Sequence, residues 1–216
     1  MSTKIIILDF DGTLGDTTDV IIRTTQAAIK ELGLPSRTDT ECAAMIGLRL
    51  TEIPPVLFPG IEVDCDLYAQ TYRRIFNILN TPGAVVLYPH VLETLQELKS
   101  RGIFLTIASS RSNASLNEYI SNLGLTSTIS YVLGGNDVAN GKPHPEAVNM
   151  TLEKFGFKPE EAIVVGDTIF DIHMGRNAGT RTCGAAYGNG TRESLSDATW
   201  LIDDFGDLHS RTNNRM

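Results

Sequence analysis

Two aspartates after the first apolar run are the side chains of this sequence best suited to chemistry. Asp9 and Asp11 directly follow the run 5–8, and Gly12 and Thr13 come next. Residues two apart in an extended chain point to the same side, so both carboxyl groups are expected to face one site. Gly12 permits the sharp turn that must follow. We therefore predict an acidic site where this strand ends.

A second pair of acids leaves another apolar run in the same way. Asp167 and Asp171 follow the run 162–165, although an aspartate near a helix start is also a common cap. Four carboxylates converging on one site would raise one another's pKa values. A divalent cation removes that conflict, and Mg2+ fits best because it combines a few carboxylates with water and phosphate oxygens. The two acid pairs therefore predict a Mg2+ site.

Phosphate-binding groups are expected at the same edge of the fold. Ser109 and Ser110 follow the run 103–108, and Ser109 is favoured because it comes first. Lys142 presents an ammonium group that can neutralise a phosphate and a nucleophilic carboxylate. Acids, hydroxyl and lysine, each after a strand, are typical of phosphoryl transfer, in which catalysis is mostly positioning and charge stabilisation.

The elements that must position these residues alternate between strands and helices. The apolar runs predicted as strands are 5–8, 103–108, 131–133, 162–165 and 182–187. The first and fourth runs are continuously hydrophobic, which suits parallel strands buried on both faces. Helically spaced apolar residues lie between the runs, so we predict an α/β fold with a doubly wound parallel-sheet (Rossmann-like) core. Ligands of such sheets bind at the carboxyl ends of the strands.

The stretch 16–81 interrupts this alternation. Two sets of residues in it have helical spacing: Ile21, Thr25, Ala28 and Leu32, and then Tyr68, Tyr72, Ile75 and Leu79. The Pro54-Pro55 pair between them is interpreted as a loop signal. We predict a small all-helical cap at 16–81, inserted after the first strand of a core that comprises 1–15 and 82–216.

Composition favours a cytoplasmic protein that acts on small molecules. The formal net charge is −8, which disfavours nucleic acid and anionic membranes as partners. The cysteines Cys42, Cys65 and Cys183 form no C-x-x-C pair and are typical of reduced thiols. No signal-like segment precedes the first strand, and no apolar run approaches the ~20 residues that cross a bilayer. We expect a monomer or homodimer.

The order of these motifs resembles the haloacid dehalogenase superfamily of phosphotransferases, and the resemblance covers almost the whole chain. It rests on four motifs: Asp9-Phe10-Asp11-Gly12-Thr13, the strand-end Ser109, Lys142-Pro143 and Gly166-Asp167 with Asp171. Three further segments look more narrowly like phosphoglycolate phosphatases: Tyr88-Pro89-His90-Val91, 141–145 and 188–195. Those enzymes carry a helical cap between the first and second core strands.

The resemblance implies a role for each motif residue. Asp9 would be the nucleophile that forms an aspartyl-phosphate, and Asp11 would be the general acid and base. Mg2+ would be bound by Asp9, the backbone carbonyl of Asp11, and Asp167, with Asp171 in support. Ser109 and Lys142 would hold the transferring phosphoryl group.

Several other residues are candidates for binding the substrate. Gly12, Thr13 and Ser110 adjoin the motifs that would bind phosphate. Arg49, in the Gly47-Leu48-Arg49 loop of the predicted cap, and Arg111 would either read the substrate or be ordinary surface arginines. His144 is expected to be a loop residue.

Other functions share parts of this pattern. A receiver-type signalling domain also holds an aspartyl-phosphate on a doubly wound sheet, but it has no helical insert after the first strand. Sugar phosphomutases of the superfamily usually have an aliphatic residue where Thr13 stands, and inorganic pyrophosphatases of the same cap type stay open. We predict Mg2+-dependent hydrolysis of a small phosphorylated metabolite, with phosphoglycolate as the leading substrate.

Overall fold

The structure is a computed structural model that describes residues 2–212. The outer limits of the predicted core, residues 1 and 216, therefore lie outside the described residues. The strands, numbered in chain order, are β1 (Ile5–Leu8), β2 (Gly15–Asp16), β3 (Val86–Leu87), β4 (Phe104–Ala108), β5 (Tyr131–Leu133), β6 (Ala162–Gly166), β7 (Arg181–Ala185) and β8 (Trp200–Ile202).

Six of these strands form one parallel sheet in the order β5-β4-β1-β6-β7-β8. All four residues of β1 are buried, as expected for a strand with a neighbour on each side and helices on both faces. The chain runs outward from β1 to β5, returns to β6 and then runs outward in the other direction. The direction therefore switches between β1 and β6, where ligands of doubly wound sheets bind. The predicted α/β fold class is confirmed.

The strands that the sequence does not predict are β2, β3 and β8, and all three are short. β2 and β3 form an antiparallel ribbon of two residues each, and β8 contains three residues. Two residues are too few for an alternation of apolar and polar residues to be recognised, whereas the three-residue strand β5 is predicted from its apolar run. The ribbon joins the first strand to the chain that leaves the 16–81 stretch.

The helices are α1 (Thr18–Glu31), α2 (Asp39–Ala43), α3 (Ile53–Leu57), α4 (Cys65–Leu79), α5 (Val91–Ser100), α6 (Asn113–Asn122), α7 (Glu146–Phe155), α8 (Ile169–Asn177) and α9 (Leu208–Thr212), and 3-10 turns occur at Pro159–Glu161 and Phe205–Asp207. The interpretation of Pro54-Pro55 as a loop is wrong. Both prolines lie in the first turn of α3, where a missing N–H costs no helical hydrogen bond.

Helices α1 to α4 lie in the 16–81 stretch, called the cap below. The buried face of α1 includes Val20, Ala28 and Ile29, and that of α4 includes Tyr68 and Ile75. These residues belong to the same apolar cluster as residues of β1 and β4. The packing is thus continuous between cap and core, and the division at residues 16 and 81 stays a prediction.

Within residues 2–212, no helix is long and apolar enough to span a membrane. The cytoplasmic location and the monomeric or homodimeric state stay predictions.

Candidate active site

The central strands bring the two acidic motifs together. Leu8 at the end of β1 pairs with Val165 in β6, and the N–H of Asp9 donates to the Val165 carbonyl at 2.9 Å. Asp9 and Asp167 therefore leave adjacent strands at the same edge of the sheet. The first turn of α8 brings Asp171 to the same place.

Three carboxyl groups form a buried cluster at this edge. One carboxylate oxygen each from Asp9, Asp167 and Asp171 lies within 4.8 Å of the other two. All three side chains are buried. The sequence predicts four converging carboxylates, whereas this cluster contains three, because the side chain of Asp11 lies elsewhere.

Asp11 pairs with an arginine instead. Its Oδ2 accepts from Arg111 Nε at 3.1 Å and its Oδ1 accepts from Arg111 Nη2 at 2.6 Å. The two-residue alternation that places Asp11 beside Asp9 holds only while the chain is extended. The strand ends before Asp11, and the chain turns at Gly12, whose φ is +80°. The Asp11 carboxylate therefore lies outside the three-carboxylate cluster, and the metal contact that the resemblance implies for Asp11, through its backbone carbonyl, stays a prediction.

Lys142 supplies the positive charge within the cluster. Its Nζ donates to Asp9 Oδ1 at 2.6 Å and to Asp171 Oδ1 at 2.5 Å. Burial alone would lower the pKa of Lys142, but the charges of Asp171 and Asp9 raise it above the ordinary lysine value. The group is therefore an ammonium ion at neutral pH.

Hydrogen bonds hold Asp167 in place. Its Oδ1 accepts from the Thr13 hydroxyl at 3.0 Å, and its Oδ2 accepts from the backbone N–H and the side-chain amide of Asn189 at 2.7 and 2.8 Å. A Cβ atom on Gly12 would lie 2.1 Å from Asp167 Oδ2, so only glycine fits there. Gly12 and Thr13 are predicted as phosphate contacts. In the structure both lie against Asp167, where Thr13 donates a hydrogen bond and Gly12 leaves room for the carboxylate.

Asn189 is a site residue that the sequence reasoning missed. Glycines flank it, and a Cβ atom on Gly188 would lie 2.3 Å from the Gly12 carbonyl oxygen. Gly-Asn-Gly was the available signal, since it lets the backbone approach another loop closely.

The cluster carries excess negative charge. Burial raises the pKa of Asp9 well above its ordinary value, Lys142 opposes this rise, and Asp171 and Asp167 add to it. Burial and the charge of Asp171 raise the pKa of Asp167 to about 7, against the hydrogen bonds from Asn189. Three carboxylates face one ammonium group, and all their donor atoms are oxygens. This donor set and charge fit a hard divalent cation such as Mg2+.

The predicted phosphate-binding serines lie in different surroundings. Ser109 is buried at the end of β4, and its Oγ accepts from the backbone N–H of Arg111 at 3.3 Å. Ser110 donates its hydroxyl to the Gly47 carbonyl of the cap at 2.5 Å. Both serines line the cavity described below, and Ser110 also joins core to cap; the preference for Ser109 as the phosphate-binding residue stays a prediction.

Arg49 also joins the cap to the core. Its Nη1 donates to the Ala139 carbonyl at 3.0 Å and its Nη2 to the Val138 carbonyl at 2.9 Å. His144 is half-exposed and lies 3.9 Å from Glu146.

A cavity of about 630 Å3 lies between the cap and the edge of the sheet. Asp9, Asp11 and Ser109 line its core side, and cap residues including Tyr72 and Phe76 line the opposite wall. The acids are thus buried by packing and yet border a space that can hold a small molecule.

Comparisons with known proteins agree with this geometry. The family model of haloacid dehalogenase-like hydrolases matches residues 6–185, and the chain belongs to that family. The pyrophosphatase PpaX of Oceanobacillus iheyensis is 32% identical over 204 residues, which cover 93% of this chain and 89% of the relative. The phosphoglycolate phosphatase of Aquifex aeolicus is 31% identical over 188 residues, which cover 86% and 85%.

Solved structures give the same result. The crystal structure of a predicted phosphoglycolate phosphatase from Haemophilus somnus matches with a TM-score of 0.85 and 26% identity, over 99% of each chain. The resemblance seen in the sequence motifs is confirmed: this is a hydrolase of the haloacid dehalogenase-like family, and the relatives named here are phosphatases.

Proposed function

We propose that this chain is a Mg2+-dependent phosphatase that hydrolyses a small phosphate ester through an aspartyl-phosphate on Asp9. One observation carries the proposal. Asp9 borders the cavity, Lys142 donates to its carboxylate, and two further buried carboxylates lie within 4.8 Å. This arrangement combines a nucleophile, a cation and metal-binding oxygens in one place.

Asp9, Asp167 and Asp171 would hold the metal ion, together with the backbone carbonyl of Asp11 that the family resemblance implies. When bound, Mg2+ would neutralise phosphate charge and relieve the repulsion among the three carboxylates. Lys142 and Ser109 would hold the transferring phosphoryl group.

In the first step, a carboxylate oxygen of Asp9 attacks phosphorus and the bond between phosphorus and the ester oxygen breaks. Asp11 gives its proton to the departing oxygen, which leaves as an alcohol. Asp9 then carries the phosphoryl group, and Asp11 is a carboxylate.

In the second step, that carboxylate takes a proton from water while the water oxygen attacks phosphorus. The bond between Asp9 and phosphorus breaks, inorganic phosphate forms, and Asp11 is protonated again.

For the substrate, we propose a small phosphomonoester, with phosphoglycolate as the leading candidate. The names of the relatives divide between phosphoglycolate phosphatase and pyrophosphatase. Pyrophosphate is therefore the second candidate, and both belong in the first substrate panel together with hexose phosphates.

The test is phosphate release from this panel and from p-nitrophenyl phosphate, with Mg2+ and with EDTA. We expect many turnovers with Mg2+, background release with EDTA, and background release from Asp9→Asn. Asp19→Asn is the matched control, because it makes the same change at an exposed carboxylate on α1. A stoichiometric phosphoprotein that does not turn over, or phosphoryl transfer between sugar positions without phosphate release, would overturn the proposal.

A further inference from the structure

Arg111 is fixed to Asp11 by two hydrogen bonds that reach both carboxylate oxygens. Its third nitrogen, Nη1, donates to the Ser115 hydroxyl at 3.2 Å. Both partners of the pair are largely buried, with side-chain exposures of 11% for Arg111 and 12% for Asp11. A planar guanidinium that binds both oxygens allows one orientation of the carboxyl group, which a single point charge does not achieve.

The guanidinium lies over two aromatic rings that come from different parts of the chain. Its central carbon is 4.9 Å from the ring centre of Phe76, on cap helix α4, and 5.1 Å from that of Tyr119, on core helix α6. The Tyr119 ring stacks on Phe10, which follows Asp9 directly in the chain. Arg111 is thus held from the cap and from the core at once.

This environment points to a task for Arg111 beside the substrate contact predicted from the sequence, which stays a prediction because Arg111 also lines the cavity. Each of its three nitrogens donates to a protein oxygen, and its central carbon lies over the rings of Phe76 and Tyr119. A general base acts only if it lies within hydrogen-bond reach of the proton that it removes. A carboxylate without a second partner could rotate away from that position.

We propose that Arg111 is the positioning residue that holds Asp11 for its attack on the water proton, and that Phe76 makes this position depend on the docking of helix α4. The inference rests on the proposed function, because it assigns Asp11 the task of activating water on the aspartyl-phosphate. Arg111 itself does not contact the reacting atoms.

The two half-reactions separate this role from a merely structural one. p-Nitrophenolate is a good leaving group, so phosphorylation of Asp9 by p-nitrophenyl phosphate needs little help from an acid. Hydrolysis of the aspartyl-phosphate needs the base whatever the leaving group was. Loss of the positioning residue should therefore slow the second half-reaction selectively.

The experiment is rapid-mixing kinetics of Arg111→Gln with p-nitrophenyl phosphate and Mg2+. We expect one equivalent of p-nitrophenolate to appear at about the wild-type rate, followed by a steady state about 100-fold slower. Acid-quenched protein should carry one phosphoryl group by intact mass. Arg23→Gln is the matched control, because Arg23 is an exposed arginine on α1 that lies outside the cavity and pairs with Asp19; it should keep the wild-type ratio of first-turnover to steady-state rate.

Two further variants keep the test decisive if Arg111→Gln is poorly folded. Arg111→Lys retains the charge but loses the two-point contact, and Phe76→Leu removes one ring face; each should raise the same ratio by about 10-fold. The inference is overturned if first turnover and steady state fall together without phosphoenzyme, or if both keep their wild-type values. If wild-type protein and Arg23→Gln release no product at all, the proposed function fails instead.

Discussion

Lys142 lies between two buried carboxylates, and its exposed side-chain fraction is 4%. Removing one partner of a buried ion pair leaves charge without compensation, which costs more than the loss of a surface pair. In this cluster, Asp9 and Asp171 would both lose their ammonium partner. The residue thus contributes to stability as well as to the proposed chemistry.

For Lys142→Gln we expect the free energy of unfolding in EDTA at neutral pH to fall by about 3 kcal/mol. Added Mg2+ should recover part of this loss, because a cation bound to the folded state replaces some of the missing positive charge. Urea unfolding with EDTA and with Mg2+ measures both effects. Lys30→Gln, at an exposed lysine of α1, is the control; a loss no larger than in this control would contradict the expectation.

Among individual residues, the aspartates that directly follow strands are easier to predict from the sequence than the residues that contact them. The meeting of Asp9 and Asp167 is predictable because each follows an apolar run that is recognisable as a strand. Lys142 joins them from the connection that follows β5. The Asp11 carboxylate lies outside the cluster because strand β1 ends at Leu8 and the carboxylate pairs with Arg111. The pairing of Asp11 with Arg111 spans 100 residues of sequence, and no local pattern indicates it.

Helix α8 shows how one element serves both the fold and the site. Asp171 lies at its third position, and its Oδ2 accepts from the backbone N–H of Thr168 at 3.1 Å and from the Thr168 hydroxyl at 2.6 Å. A carboxylate at this position accepts hydrogen bonds from otherwise unpaired groups at the start of the helix, and it interacts favourably with the helix dipole. Asp171 is therefore a helix cap whose carboxyl group also lies in the acidic cluster, and its support of a metal ion stays a prediction.

Thr168→Ala removes the hydroxyl that orients the Asp171 carboxylate. We expect a loss of about 1 kcal/mol in the free energy of unfolding and a roughly 10-fold weaker apparent affinity for Mg2+. Mg2+ titration of activity and urea unfolding provide the two measurements. Thr38→Ala is a matched control, since Thr38 makes the equivalent contacts with Glu41 at the start of α2; equal changes in Mg2+ affinity for both variants would refute the argument.

Among the elements, length and prolines decide what can be predicted. β1 and β6 are recognisable because burial on both faces makes them continuously apolar. β2, β3 and β8 contain only two or three residues, and packing, not local pattern, holds them in strand conformation. Helix α3 is not predicted from the sequence, because its two prolines are typical of loops and occupy the few helical positions that tolerate proline.

For the whole molecule, contacts between distant parts of the chain fasten the C-terminal segment to the core. His90, which precedes α5, has its Nδ1 2.7 Å from Asp204 Oδ2. The hydrogen bond and charge of Asp204 raise the pKa of His90. Burial alone would raise the pKa of Asp204, but hydrogen bonds from His90 and from the Gly206 N–H lower it.

The signs of these shifts define a pH window. The raised pKa of a histidine contributes stability that is fully present below the unfolded pKa of about 6.5. This stability is lost as pH rises through the folded pKa. The lowered pKa of an aspartate contributes stability that is present above the unfolded pKa of about 3.9. This stability is lost as pH falls through the folded pKa. We expect His90→Gln to destabilise the protein most between about pH 4 and 6.5.

Urea unfolding of wild type and His90→Gln across this range measures the difference in stability. The effect should be small, since both side chains are partly exposed. His144→Gln is the control, and a difference between wild type and His90→Gln that does not vary with pH would contradict the assignment.

The β2–β3 ribbon has a consequence for how the cap can move. Asp16 enters the cap and Val86 follows its exit, and these two residues are paired across the ribbon. The two connections are therefore mechanically coupled, and neither can shift without the other. We expect a cap joined in this way to rotate about the ribbon more readily than it slides across the sheet. Opening that exposes Asp9 would then carry Phe76 away from Arg111 in the same motion.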